Sequence, residues 1–249
     1  MVSVDLGLVE VEFGLFPVAE GAEGLTLVLF VAWSLLAVLG VRFAYYAHRN
    51  MARTDIEVQA TLWVLLRYAG ALAALFGVAG VLEVVSSLTF AGKNGLLLAM
   101  ALLLALSLRQ IHRAGTGQAA VLSASLDRGV RLAFAAAVLV YVALVGVTGR
   151  TAATATLEGL CAAGFILYGG AYFQAQTAGS RLQGTMLDSL VRHLLPVLAF
   201  AALVGIVALA VPFGVAPIVV LHIRVVFVIM TATALMTATI KLRQNLATL

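Results

Sequence analysis

Seven apolar runs, each about the length needed to cross a hydrocarbon layer, dominate this chain. They are Leu25–Tyr46, Leu62–Thr89, Gly95–Ile111, Arg131–Gly149, Ala152–Phe173, Leu194–Phe213 and Ala216–Ile240. A bilayer core needs about 20 predominantly apolar residues per helix. Backbone polar groups find no partner in lipid, so each spanning segment must bond within itself. Of the 249 residues, 63% are apolar and only 10% charged, against about 25% charged in an ordinary soluble domain. That balance excludes a soluble globular protein, a disordered chain, a collagen and a disulfide scaffold. The fold expected is all-α: a polytopic membrane protein built as a seven-transmembrane-helix bundle. The segment Val211–Pro217, with two prolines and a glycine, separates the last two runs because it cannot continue a helix.

The first 24 residues carry Asp5, Glu10, Glu12, Glu20 and Glu23 and no basic residue, unlike a secretory signal peptide, which begins with positive charge. The alternation Val2-Ser3-Val4-Asp5-Leu6 suits an extended segment or a short interfacial helix, with a disordered tail as the competing reading. Three regions are expected: an acidic extracytoplasmic segment over 1–24, the helical domain over 25–240, and a short cytoplasmic tail over 241–249. Twelve Lys and Arg flank one side of the spans, Lys93 and Arg150 the other, and Arg224 alone lies within a span. The positive-inside rule then places the N-terminus outside and the C-terminus in the cytoplasm. The formal net charge of +4 reflects this topology, so the partners expected are the lipid bilayer, further copies of the chain or other membrane subunits, and not nucleic acid. The location expected is a cell membrane, that of a prokaryote.

Leu126-Asp127-Arg128-Gly129-Val130-Arg131 and Leu187-Asp188-Ser189-Leu190-Val191-Arg192 resemble each other, and Arg67 opens a third such helix. The pattern fits three helical hairpins related by an internal repeat with helix 7 added, or simply shared juxtamembrane composition. Asp127 and Asp188 precede Arg131 and Arg192 by one helical turn, the spacing of an i,i+4 pair. An arginine at each entry can also fix helix depth by reaching the headgroups.

Ionisable groups inside a bilayer are costly, which makes them the best functional pointers. Glu83, Glu158, His222 and Arg224 all approach the outer ends of their spans. Arg224 calls for a carboxylate partner, and Glu83 and Glu158 are the candidates. Their cluster reads either as an ion pair joining helices 2, 5 and 7 or as a polar pocket for a small ligand or ion. On helix 7, Thr233 and Thr237 share a face and form a possible polar stripe, unless the threonine hydroxyls return to their own helix carbonyls. Ala69, Ala73 and Gly77 repeat every four residues, as helix-packing stripes do. Cys161 is the sole cysteine, so no intramolecular disulfide forms. His48, His112 and His193 each adjoin an arginine, and no two histidines have i,i+3 or i,i+4 spacing; no metal or haem site, and no other cofactor, is expected.

No zinc-protease, phosphate-loop or nucleophile-elbow motif is present, so no catalytic residue is assigned and the chain is read as non-enzymatic. Seven spans with the N-terminus outside match the topology of the retinal proteins. The Schiff-base lysine is missing, however: Lys241 lies at the end of helix 7 and Lys93 in an outer loop. The chain is therefore not assigned to the microbial rhodopsins. The same topology occurs in membrane-embedded sensory modules attached to some prokaryotic kinases, an analogy of architecture alone. The function expected is that of a sensory or receptor-like module, or an accessory subunit of a membrane complex. Because the chain stops soon after helix 7, its signal is expected to pass to another polypeptide. The alternative is a small transporter or channel using the Glu83, Glu158 and Arg224 region.

Overall fold

A computed structural model describes residues 2–5, 10–13, 23–53, 57–116, 121–179 and 185–248. Seven helices follow one another: α1 Glu23–Met51, α2 Glu57–Val85, α3 Lys93–Thr116, α4 Ala124–Thr148, α5 Ala152–Gly179, α6 Met186–Ile206 and α7 Pro217–Thr248. All seven contain a stretch long and apolar enough to span a membrane. Two short strands precede them, β1 Val2–Asp5 and β2 Glu10–Phe13, paired antiparallel with Val2 opposite Phe13 and Asp5 opposite Glu10. The extended reading of the alternating N-terminal residues therefore holds, and the hairpin is an addition to an otherwise helical fold. Glu20 lies outside the described residues.

The helices overrun the apolar stretches. α4 and α6 begin well before Arg131 and Leu194, so Asp127 and Asp188 sit in first turns rather than in loops. There the helix dipole favours a carboxylate. Lys93 is likewise the first residue of α3, not part of a loop. α6 tightens into a 3₁₀ turn over Val207–Ala210, and Gly214 takes a positive φ of 85°. α7 then opens at Pro217, where a missing N–H costs nothing, and runs on through the expected tail to Thr248.

Neighbouring helices run antiparallel. Trp33, Ala37 and Ala44 of α1 face Gly80, Gly77 and Gly70 of α2, in reverse order. A Cβ on Gly40 would stand 2.5 Å from the Ala74 nitrogen, so only glycine permits this backbone approach. Such close contact replaces the hydrophobic drive that lipid does not supply between helices. α1 also packs on α7, in parallel: Asn50 Nδ2 donates to the Leu242 carbonyl at 3.1 Å. α3 is the most buried span and touches α2, α4, α5 and α6. α4 is the least buried; it packs on α3 and α5 and exposes apolar residues such as Leu132, Leu139 and Val147. The starts of α1, α3, α5 and α7 share one end of the bundle, here the Lys93 end; the opposite end holds Arg109.

Candidate functional site: two buried polar clusters

At the Lys93 end, Glu158 on the second turn of α5 is the hub. Its side chain is 5% exposed, a position where an unpaired carboxylate would be expensive. Three helices supply the compensation. Asn94 of α3 donates to both carboxylate oxygens at 2.8 Å. Tyr141 of α4 donates to Oε2 at 3.0 Å, and Arg224 of α7 pairs with Oε1. The Arg224 Nε donates in addition to the Val204 carbonyl at 2.9 Å. Val204 lies in the last turn of α6, where carbonyls lack their usual helical donors. The arginine thus joins α5, α6 and α7 with one planar group.

Glu83 does not belong to this hub. It pairs with Lys93 and accepts from the Phe90 N–H at 3.0 Å, tying the end of α2 to the start of α3. Lys93 also lies 5.0 Å from the centre of the Trp33 ring, a cation–π distance. His222 stands apart as well: its ring is exposed and Nδ1 lies 2.7 Å from the Ile218 carbonyl. Two residues along a helix turn a side chain about 200° away, because 3.6 residues make a full turn.

A second cluster, at the opposite end, was not assembled from sequence. Asp127 of α4 takes a bidentate contact from Arg109 of α3, with Nε at 2.9 and 3.0 Å and Nη2 at 2.6 Å. Tyr168 and Tyr172 of α5 both donate to Oδ1, at 2.7 and 2.9 Å. Arg131, one turn along, adds an ion pair at 3.3 Å. The matching pair Arg192–Asp188 forms at 3.2 Å, but its arginine is largely exposed, so the two Leu-Asp elements share spacing and not surroundings. The residue pair Tyr168 and Tyr172, spaced i,i+4 on one face, was the available signal for this cluster. For the first cluster it was Asn94 beside Lys93 and Tyr141 amid Ala and Val.

Between the clusters the bundle is packed with apolar side chains, among them Met100, Leu104, Phe165 and Leu198, all buried. The threonines of α7 do not change this: Thr233 and Thr237 are exposed, and their hydroxyls bond the Ile229 and Ala234 carbonyls of the same helix at 2.9 and 2.7 Å. Cys161 is buried and unbridged. Among the described residues, no three His, Cys, Asp or Glu side chains converge closely enough to hold a metal ion.

Two cavities open at the Lys93 end. One of about 430 Å³ lies between α5 and α7 against Glu158 and Arg224; another, of about 520 Å³, lies against Glu83 and Lys93. The sequence matches no protein-family model, no curated protein and no solved structure.

Proposed function

We propose that this is a non-enzymatic multi-pass protein of a prokaryotic cell membrane that works through partners in the bilayer, as a receptor-like module or an accessory subunit. One observation carries the reading. The same three helices supply both polar clusters: α3 gives Asn94 and Arg109, α4 gives Tyr141 and Asp127, and α5 gives Glu158 with Tyr168 and Tyr172. Along α3 the two sites are about 22 Å apart at 1.5 Å per residue. A change in the contacts of Glu158 therefore acts on helices that also hold Asp127, the arrangement a two-ended device needs.

The N-terminus lies outside and the arginine-rich end faces the cytoplasm, supported by the bias of Lys and Arg. The three hairpins descend from one repeated unit, supported by the shared i,i+4 spacing of the Asp–Arg pairs of α4 and α6. Labelling tests the orientation. With Cys161 replaced, a cysteine at the exposed Arg150 reacts with an impermeant thiol reagent on intact cells. One at the exposed Arg113 reacts only after lysis. The reverse pattern overturns the orientation.

Extraction in mild detergent followed by native mass spectrometry tests the partner reading; a homo-oligomer or larger complex is the expected result. The second reading, a small transporter, draws support from the cavity that reaches the buried Glu158–Arg224 pair. A strictly monomeric particle that moves solute in liposomes by itself would replace the first reading with the second.

A further inference from the structure

We propose that the cavities at the Lys93 end bind an amphiphilic monoanion, its head against Arg150 and its apolar body along the α5–α7 wall. Among the side chains that line these cavities, the charges do not balance. Lys93 is paired with Glu83 and Arg224 with Glu158. Arg150 has no carboxylate within ion-pair distance among the described residues. Among the described residues that line the cavities one cation is therefore in excess, and it stands where the cavities meet. Arg150 borders the 520 Å³ cavity, the 430 Å³ cavity and a third of about 60 Å³ between them that Lys93 and Arg224 also line.

The backbone holds Arg150 in place. Gly149 ends α4 with φ at 68°, a conformation that favours glycine, and its N–H returns to the Val145 carbonyl at 2.9 Å. On the other side, Thr151 and Thr154 cap α5 reciprocally, with N–H to hydroxyl distances of 2.8 and 3.2 Å. The connection is thus short and fastened at both ends, and Arg150 is its one cationic side chain. The first turns of α5 and α7 border the 430 Å³ cavity too, adding two positive helix ends to the field.

Beyond the charged groups and the two capping threonines, the wall of that cavity is apolar: Ala152, Ala155, Ala208, Val211, Val220 and Leu221 line it. Its volume lies within the roughly 300–1,000 Å³ of small-molecule sites. A hydrated inorganic ion would leave this wall unused, and a dianion would place its second charge near Glu158 without a free cation. A carboxylate or phosphodiester head on an apolar body satisfies both parts. The source is either a free carboxylate or an acidic lipid of the surrounding bilayer.

This names a ligand class for the receptor-like reading and rests on it for the role of binding. The binding itself is measured on isolated protein, so its failure leaves partner association standing. Radiolabelled octanoate is titrated against wild-type protein in a neutral detergent, with octanol and phosphatidylglycerol as competitors. Saturable binding at one site per chain is expected, with octanol competing at least tenfold less well than unlabelled octanoate. Competition by phosphatidylglycerol but not phosphatidylcholine assigns the site to lipid; its absence assigns it to a free carboxylate. Arg150→Gln, at an exposed position that leaves both ion pairs intact, should weaken binding at least tenfold with an unchanged melting temperature. Arg53→Gln, at the far end, should not weaken it. Absence of saturable binding by either anion, equal competition by octanol, or undiminished binding by Arg150→Gln overturns the proposal.

Discussion

Replacing Arg224 with leucine tests the hub at the Lys93 end most directly. The guanidinium side chain is 17% exposed and its partner Glu158 5%, so the substitution strands a nearly buried carboxylate. Removing one member of a buried ion pair typically costs about 3–5 kcal/mol. Here Glu158 keeps Asn94 and Tyr141 as donors, and polar contacts inside membrane proteins are weaker than those in water-soluble ones, averaging about 0.6 kcal/mol. The loss expected for Arg224→Leu is therefore about 2–4 kcal/mol, at or below the soluble-protein range. Adding Glu158→Gln removes the stranded charge while preserving an acceptor for Tyr141. The double variant should accordingly recover at least about 1 kcal/mol, a coupling of the size seen for residues in contact. Glu83→Gln has no partner in common with Arg224, so its effect should add to within about 0.5 kcal/mol. Unfolding in mixed detergent, followed by helical circular dichroism, measures the wild type, the three single variants and the two doubles. Additive losses for Arg224→Leu with Glu158→Gln, or coupling with Glu83→Gln instead, would refute the hub.

At the other end, Asp127→Asn should cost about 3–5 kcal/mol, since it leaves Arg109 buried without a counter-charge. Tyr168→Phe and Tyr172→Phe each remove one hydrogen bond and keep the ion pair, so each should cost about 1 kcal/mol in the same unfolding assay. Gly40→Val should lower the melting temperature more than any of these hydroxyl deletions. The new side chain meets the α2 backbone, which cannot yield as a flexible side chain would, and overpacking of this kind costs about 1–3 kcal/mol or more. Gly146→Ala, on the open face of α4 with nothing within 4 Å, is the matched control and should be neutral.

The seven spans were legible because lipid imposes one requirement on every segment, a long run that satisfies its own backbone. Helix ends were not, because α4, α6 and α7 continue past the apolar run, where hydropathy no longer reports on helicity. Arg224 was legible as a charge in an apolar run. The choice of Glu158 over Glu83 was not, since it depends on Lys93 opening α3 and occupying Glu83 first. Asn94 and Tyr141 escaped notice because neither carries a charge and both hide within ordinary apolar sequence. Asp127 was visible but assigned to Arg131 one turn on, and Arg109 counted only toward the basic side of the spans. The sequence says nothing about depth once a helix extends beyond its apolar stretch, and only packing brings them to the buried side of α4 and α3.

The two clusters matter most for α4. Its buried side chains are Asp127, Val138, Tyr141 and Val145, and two of those four belong to the clusters. In lipid, apolar side chains gain little by leaving the hydrocarbon for a neighbouring helix, so Val138 and Val145 contribute shape more than attraction. α1 and α2 are held differently, by backbones that approach across Gly40, Gly70 and Gly77. Gly129 and Gly146 of α4 meet nothing within 4 Å, so α4 has no such contact at those positions. α4 is held by the Tyr141–Glu158 bond at one end and the Asp127–Arg109 pair at the other, with Phe134 between them edge-on to Phe165 and Tyr168 of α5. The first bond lies on the carboxylate that also pairs with Arg224, beside the cavity that Arg150 overlooks. Under the proposed function, a ligand that draws Tyr141 away from Glu158 loosens one of the polar attachments of the least buried helix. The other polar attachment, Asp127–Arg109, lies at the arginine-rich end, where the proposed partner would meet the change.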